Sequence, residues 1–273
     1  MARGESPLAK GTKMQNKLLG SVCALALGLL PLAAAHADGW PGFSGTLSGD
    51  YANLHANGGG SADSWGGTGA AKFNFGTAPF AAQFDGGYHN INGSGASVDD
   101  WNLDGSVMWL APMGRAGAVV GYNNLNGGGS AHVTNYGGYG EWFAGPGFTL
   151  GGKAGGFSGS GSTDGYYLGG QVVGYLGGSF ALSGAVDYTH LSHAGNDTDY
   201  TARGEYLISQ RVPVSIYGGY TYSSFSGGGG HLDTWFVGLK FYCNGSGEQS
   251  LADRQRGGPV SWPIQFGPAI FKF

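Results

Sequence analysis

The sequence predicts an all-β fold: a closed antiparallel transmembrane β-barrel of about twelve strands, with an N-terminal signal peptide and a short C-terminal tail. Three observations predict it. Segments of about 10 residues alternate apolar and polar side chains, and aromatic rings bracket their apolar faces. The connections between them alternate between short turns, most with Pro, and longer Gly/Ser/Asn stretches. The clearest segment runs from Trp101 to Trp109. Trp101, Leu103, Gly105, Val107 and Trp109 share one face, and Asn102, Asp104, Ser106 and Met108 share the other. A strand in a soluble sandwich has no reason to end its apolar face on rings, whereas a lipid-facing strand places rings where headgroups meet hydrocarbon. At a tilt near 40° the two tryptophans stand roughly 20 Å apart along the membrane normal, close to the ~25 Å apolar band of such barrels.

The first 37 residues read as a secretory signal. Lys13 and Lys17 give a positive start, Leu18 to Leu32 a short apolar run, and Ala35-His36-Ala37 a small-x-small cleavage site, so the mature chain begins at Asp38. Either Met1 or Met14 serves as initiator, and an N-terminal membrane anchor is the alternative reading. Cleavage after Ala37 removes four basic residues and one acidic one and takes the net charge from −4 to −7. No basic footprint for nucleic acid is present. Cys23 falls inside the signal and leaves Cys243 alone, so no disulfide framework forms within one chain. The 58 glycines suggest disorder or a fibre, but 14% aromatic residues at spaced, same-parity positions oppose that.

Twelve segments follow in order. Phe43 to Asn53 turns Phe43, Leu47 and Tyr51 outward. Gly67 to Gly76 turns out Ala71, Phe73 and Phe75, and Phe80 to Asn90 turns out Phe80, Ala82, Phe84 and Tyr88. The tryptophan-bracketed strand is fourth. Ala116 to Asn123 and Thr134 to Phe143 present Val120, Tyr122, Tyr136 and Trp142. Phe148 to Phe157 and Tyr166 to Leu176 present Phe148, Leu150, Tyr166, Leu168 and Val172. Phe180 to His190 turns out Phe180, Leu182, Val186 and Tyr188, and Tyr200 to Leu207 turns out Tyr200 and Tyr206. Val214 to Tyr222 and Asp233 to Tyr242 complete the set with Ile216, Tyr220, Trp235, Val237, Leu239 and Phe241. Phe43, Tyr51, Phe80, Tyr88, Trp101, Trp109, Phe180, Tyr188, Trp235 and Phe241 are the expected lipid-interface aromatics.

Five short turns and six longer loops are what twelve antiparallel strands need, the short turns facing the periplasm and the long ones outside. Pro79, Pro112 and Pro146 mark a hairpin repeat of about 33 residues. A helical repeat of that period is excluded because no segment has 3.6-residue periodicity. Closure is also required physically, since lipid cannot satisfy an open strand edge. Residues 244–273 lie beyond the last strand and form a tail, periplasmic or lumen-entering.

Together, the signal, the dyad strands, the aromatic girdles and the alternating turns resemble the porin-like outer-membrane β-barrel proteins of Gram-negative bacteria. The resemblance covers residues 38–243. It implies residence in the outer membrane after signal cleavage, contact with outer-membrane lipid, and handling by the outer-membrane assembly machinery. It implies no cofactor and no metal. Activity does not follow from it, because such barrels serve many functions.

The inward positions are mostly small and polar, which predicts a watery lumen without a packed plug. The inward charges are Asp50, Lys72, Asp85, Asp104, Glu141, Lys153, Asp187, Arg203, Glu205 and Lys240. A turn tipped by Ala78-Pro79 pairs Lys72 directly with Asp85, and Glu141 comes within one diagonal of Lys153. Tyr139, Tyr167 and Tyr217 are the bulky inward residues expected to set a constriction. This predicts a passive channel for small polar solutes or ions with a weak cation preference. A structural or adhesive barrel is the alternative. A hydrolase is a third reading: Asp99 and Asp100 end strand four, and Asp187, His190 and His193 gather at the end of strand nine, but acid–base work needs these groups within hydrogen-bond reach.

Overall fold

The computed structural model describes residues 42–93, 96–127, 129–160, 164–192, 195–226, 230–243 and 248–260. The expected signal peptide, His193 and the last residues of the tail lie outside them. Twelve strands run β1 Phe43–Ala56, β2 Ser61–Asn74, β3 Phe80–Gly93, β4 Ala96–Ala111, β5 Gly114–Asn126 and β6 Ser130–Ala144. They continue as β7 Phe148–Gly159, β8 Gly165–Leu176, β9 Phe180–Leu191, β10 Gly195–Leu207, β11 Val214–Phe225 and β12 Gly230–Tyr242, and a short helix, α1, spans Leu251–Gly257. Each strand pairs antiparallel with its neighbours in sequence, and β1 pairs with β12 to close the barrel. The strands are strongly staggered. Following paired residues once round from Phe43 leads to His231, whose carbonyl accepts from the amide of Asn57 on the same strand's far side. A shear of that size tilts the strands by roughly 40°.

Outward positions form the apolar belt. Leu103, Val107, Val120, Leu168, Leu182, Val237 and Leu239 are all exposed, as a lipid-facing belt must be. The ten expected interface aromatics all hold outward parity, in two rows. One row stands near the short turns and includes Phe80 beside Trp109 and the Phe43–Phe73 pair. The other stands toward the opposite end, with Tyr51 beside Trp65, Tyr88 beside Trp101, and Tyr220 against Trp235.

Two expectations about connections are corrected. The strands are 12–16 residues long, not about 10. Thus β2 begins at Ser61 and β10 at Gly195, inside stretches expected to be loops. The Gly/Ser/Asn residues there continue the ladder, because backbone pairing in a hairpin does not depend on side-chain polarity. The difference in length between turns and loops therefore largely disappears: residues 57–60 connect β1 to β2, while Phe75 to Pro79 connect β2 to β3. The second correction is register. Lys72 stands opposite Gln83, and Asp85 opposite Ala70, so Lys72 and Asp85 are not partners. A two-residue turn at Ala78-Pro79 puts Pro where it is disfavoured. The chain makes a wider turn instead, with Gly76 at φ +59° and the Phe75 amide donating to the Phe80 carbonyl.

The interior also gives a physical reason for the glycines. Gly117 stands directly opposite Tyr139, and Gly238 opposite Tyr217. A Cβ on Gly117 falls 2.7 Å from Tyr139 Cζ and 2.7 Å from the Val107 carbonyl oxygen. The missing side chain lets the neighbouring ring lie flat along the wall. Gly117→Ala is therefore expected to destabilise the barrel by about 1–3 kcal/mol, as overpacking does. Thermal unfolding in detergent, followed by β-sheet circular dichroism, measures it; an unchanged transition refutes the account.

Candidate functional site

Parity carries all ten expected inward charges into the barrel interior. Their partners differ from the expected ones. Glu141 accepts from Arg115 Nε at 2.6 Å, and Lys153 Nζ lies 2.9 Å from Asp187. Glu141 and Lys153 are one diagonal apart, but each turns to another partner. Asp85 stands directly across from Asp104. Each carboxylate is held by amides rather than by a cation, Asp85 by Gln83 and Asp104 by Asn102 and Asn135. Arg203 donates to Glu205 at 2.7 Å.

The three tyrosines all have inward parity and bond neighbouring wall groups. Tyr139 bonds Ser106, and Tyr217 lies under the Arg203 guanidinium at 4.1 Å and reaches Asp50. Tyr167 donates to the Tyr136 carbonyl and packs in a buried cluster with Leu125, Val133, Phe157 and Leu191. That cluster lines the end of the barrel away from the chain termini. The rings fold onto glycine-bearing neighbours, as described for Tyr139 and Tyr217.

The other end, where both termini of the barrel and the β2–β3 turn lie, is filled. Helix α1 and the residues after it hydrogen-bond the inward side chains of strands all round the ring. The helix opens on a capping box between Ser250 and Asp253. Leu251 is buried against Val173, Ala181, Leu207 and Tyr242, and Val260 against Ala81 and Met108. Gln255 meets Tyr175 and Glu205, and Arg256 meets Thr149 and the Phe148 carbonyl. The helix C-terminus faces Lys72, 2.5 Å from the Gly257 carbonyl, and Arg115, 2.6 Å from that of Gly258. Cations there match the negative end of the helix. The expectation of a watery lumen without a plug is overturned at this end. Small wall residues do leave room, but the chain's own tail uses it.

Beyond the helix a cavity of about 450 Å³ extends from Thr46, Lys240 and Val260 up to Leu54 and Ile91. Asp50, Asp85, Asp100, Asp187 and Asp199 line it, against Lys153, Arg203, Lys240 and His89. Below it, a second space of about 60 Å³ is lined by Arg115, Arg203, Lys240 and Arg256 against Glu141 and Glu205. Charge is thus segregated along the axis, basic at the helix and acidic above it. Arg115, Asp100 and Asp199 were missed as interior charges. Extending the parity of Asp104 back to Asp100, of Gly121 back to Arg115 and of Arg203 back to Asp199 finds them.

Similarity to known proteins agrees with the architecture. No protein-family model matches the chain, and no curated protein matches it. Among solved structures, the translocator domain of the autotransporter NalP from Neisseria meningitidis is 13% identical, covering 81% of this chain and 97% of that one at a TM-score of 0.52. The CymD monoaromatic hydrocarbon channel is 8% identical over 81% and 93%, at 0.50. The β domain of a Bordetella autotransporter is 9% identical over 74% and 99%, also at 0.50. The chain shares the closed antiparallel β-barrel fold of these outer-membrane proteins. At these identities the likeness is one of fold alone.

On this barrel the described candidates of the hydrolase reading divide between the two faces of the wall. Asp100 faces the interior, while Asp99 faces outward and accepts from Tyr88 and Asn90. Asp187 faces inward, and His190 faces outward against Asn196 and Tyr166. Adjacent or odd-spaced residues on a strand point to opposite faces, so each pair is split, while Asp100 and Asp187 both line the cavity. Among the described residues no group of three metal-ligating side chains is present.

Proposed function

We propose that the chain is an outer-membrane channel for the passive diffusion of small polar solutes or ions, reached after secretion and signal cleavage. Outer-membrane lipid, the assembly machinery and the permeating solutes are its partners. The observation that carries this reading is the polar cavity of about 450 Å³ inside a closed barrel. A barrel whose only task is structural has no need of an interior space lined by five carboxylates.

The acidic upper lumen favours cations. The test is planar-bilayer conductance of refolded residues 38–273, beside a chain ending at Tyr242. Ohmic conductance is expected, larger in the shorter chain, with a zero-current potential on the cation-selective side in a salt gradient. Silence from both chains, each inserted, β-rich and heat-resistant, ends the channel reading. Within it, Asp100→Asn combined with Asp199→Asn is expected to move the zero-current potential toward zero. A potential that stays in place removes the upper carboxylates as the selectivity determinant.

A further inference from the structure

The inner wall grips the tail chiefly through main-chain atoms. Gln83 donates to the Val260 carbonyl at 3.2 Å and accepts from the Val260 amide at 2.8 Å, clamping both main-chain polar groups of one residue. Arg115 reaches the carbonyls of Gln255, Arg256 and Gly258. Lys72 and Ser44 both donate to the carbonyl of Gly257. Four wall side chains thus hold a run of backbone from residue 255 to 260. Around this grip the wall supplies side-chain pockets. Leu251 enters an apolar one, and the Arg256 guanidinium lies 5.0 Å from the Phe143 ring and 5.1 Å from the Tyr175 ring.

A seven-residue helix has no stability of its own in water, so the wall imposes its shape. Main-chain hydrogen bonds for affinity and side-chain pockets for specificity are the physical makings of a peptide-recognition site. Gln83, Arg115 and Lys72 are buried, and main-chain groups of the tail are among their hydrogen-bond partners.

We propose that the terminal end of the lumen is a peptide-binding site, filled in this chain by its own residues 248–260 as a tethered ligand. The ligand class is a short arginine-bearing peptide, about two helical turns ending in an extended Gly-Pro-Val-like segment. The site takes such a peptide in trans when the tail is displaced. This goes beyond the channel reading and does not depend on conductance.

The test places a protease recognition sequence in place of residues 244–247 of the full chain. The protein is folded, verified by circular dichroism and heat resistance, then cut. A fluorescent synthetic peptide of residues 248–260 is titrated by anisotropy. Saturable binding is expected to the cut barrel and not to the uncut one, where the site is occupied. Gln83→Leu is expected to weaken binding about tenfold through loss of both clamp bonds. A scrambled peptide that binds as well, or equal binding to cut and uncut protein, overturns the proposal, as does no binding to a folded cut barrel. Should the cut barrel lose its fold, the uncut chain carrying Ser44→Cys and Gly257→Cys decides. Excess free peptide is expected to slow formation of that cross-link, and an unaffected rate overturns the proposal.

Discussion

Replacing Arg115 by Ala is expected to cost the folded barrel about 3–5 kcal/mol, the range found when one partner of a buried ion pair is removed, and to free the tail from the wall. Arg115 is 5% exposed and Glu141 9%. The substitution leaves the Glu141 carboxylate in the interior without its cation, and strips a donor from the carbonyls of Gln255, Arg256 and Gly258. Both effects act in one direction, because a buried charge or carbonyl left unmet keeps its desolvation cost.

Two further variants separate them. Arg115→Lys keeps a positive charge for Glu141 but cannot reach three carbonyls with one planar fork. It is expected to recover most of the stability and little of the grip on the tail. Glu141→Gln placed on the Arg115→Ala background is expected to recover part of the loss, which a double-mutant cycle reads as coupling. Denaturant unfolding in detergent measures stability, and limited proteolysis of the tail measures its release. The control is Arg211→Ala, since Arg211 pairs with Glu248 in an exposed ion pair worth little. If Arg115→Ala unfolds no more readily than that control, the buried fork does not hold the molecule together.

The barrel was legible because one rule, period-two alternation, fixes both faces of every strand at once. Every residue that the sequence assigns to the lipid face, from Phe43 to Phe241, has outward parity, and the ten assigned charges have inward parity. What alternation does not carry is register. It repeats every two residues, so a slip of two between β2 and β3 leaves each face intact while exchanging Asp85 for Gln83 opposite Lys72. The turn decides that slip, and Gly76 was not read as part of it. Strand ends were also hidden. Ser61 to Ser64 and Gly195 to Asp199 are too small or polar to show an apolar face, yet their backbones pair. The seat of the tail was the least legible feature. Leu251, Gln255 and Val260 are bound by side chains from strands far apart in sequence, and no local period encodes such contacts.

Glu205→Ala is expected to be comparably damaging, about 3–5 kcal/mol by the same argument, and to shift ion selectivity as well. Glu205 is 4% exposed and receives four donors: Ser215 at 2.7 Å, Arg203 at 2.7 Å, Gln255 at 3.3 Å, and the Tyr242 hydroxyl. One carboxylate therefore ties β10, β11, β12 and α1 together beside the strand that closes the barrel. It is also one of only two acids lining the small space that holds Arg115, Arg203, Lys240 and Arg256. Its removal leaves four cations facing one anion, so permeation through the terminal end of the lumen shifts toward anions. Glu205→Gln keeps an acceptor for Tyr242 and Ser215 while losing the charge, and is expected to shift selectivity as far with a smaller loss of stability. Adding Lys240→Met to Glu205→Gln removes one of the four cations and is expected to return both quantities part of the way. The zero-current potential and denaturant midpoint of the three variants, measured on the same preparations, check this ordering. Selectivity unchanged in Glu205→Gln would show that permeating ions do not pass this carboxylate, and would place the path along another part of the wall.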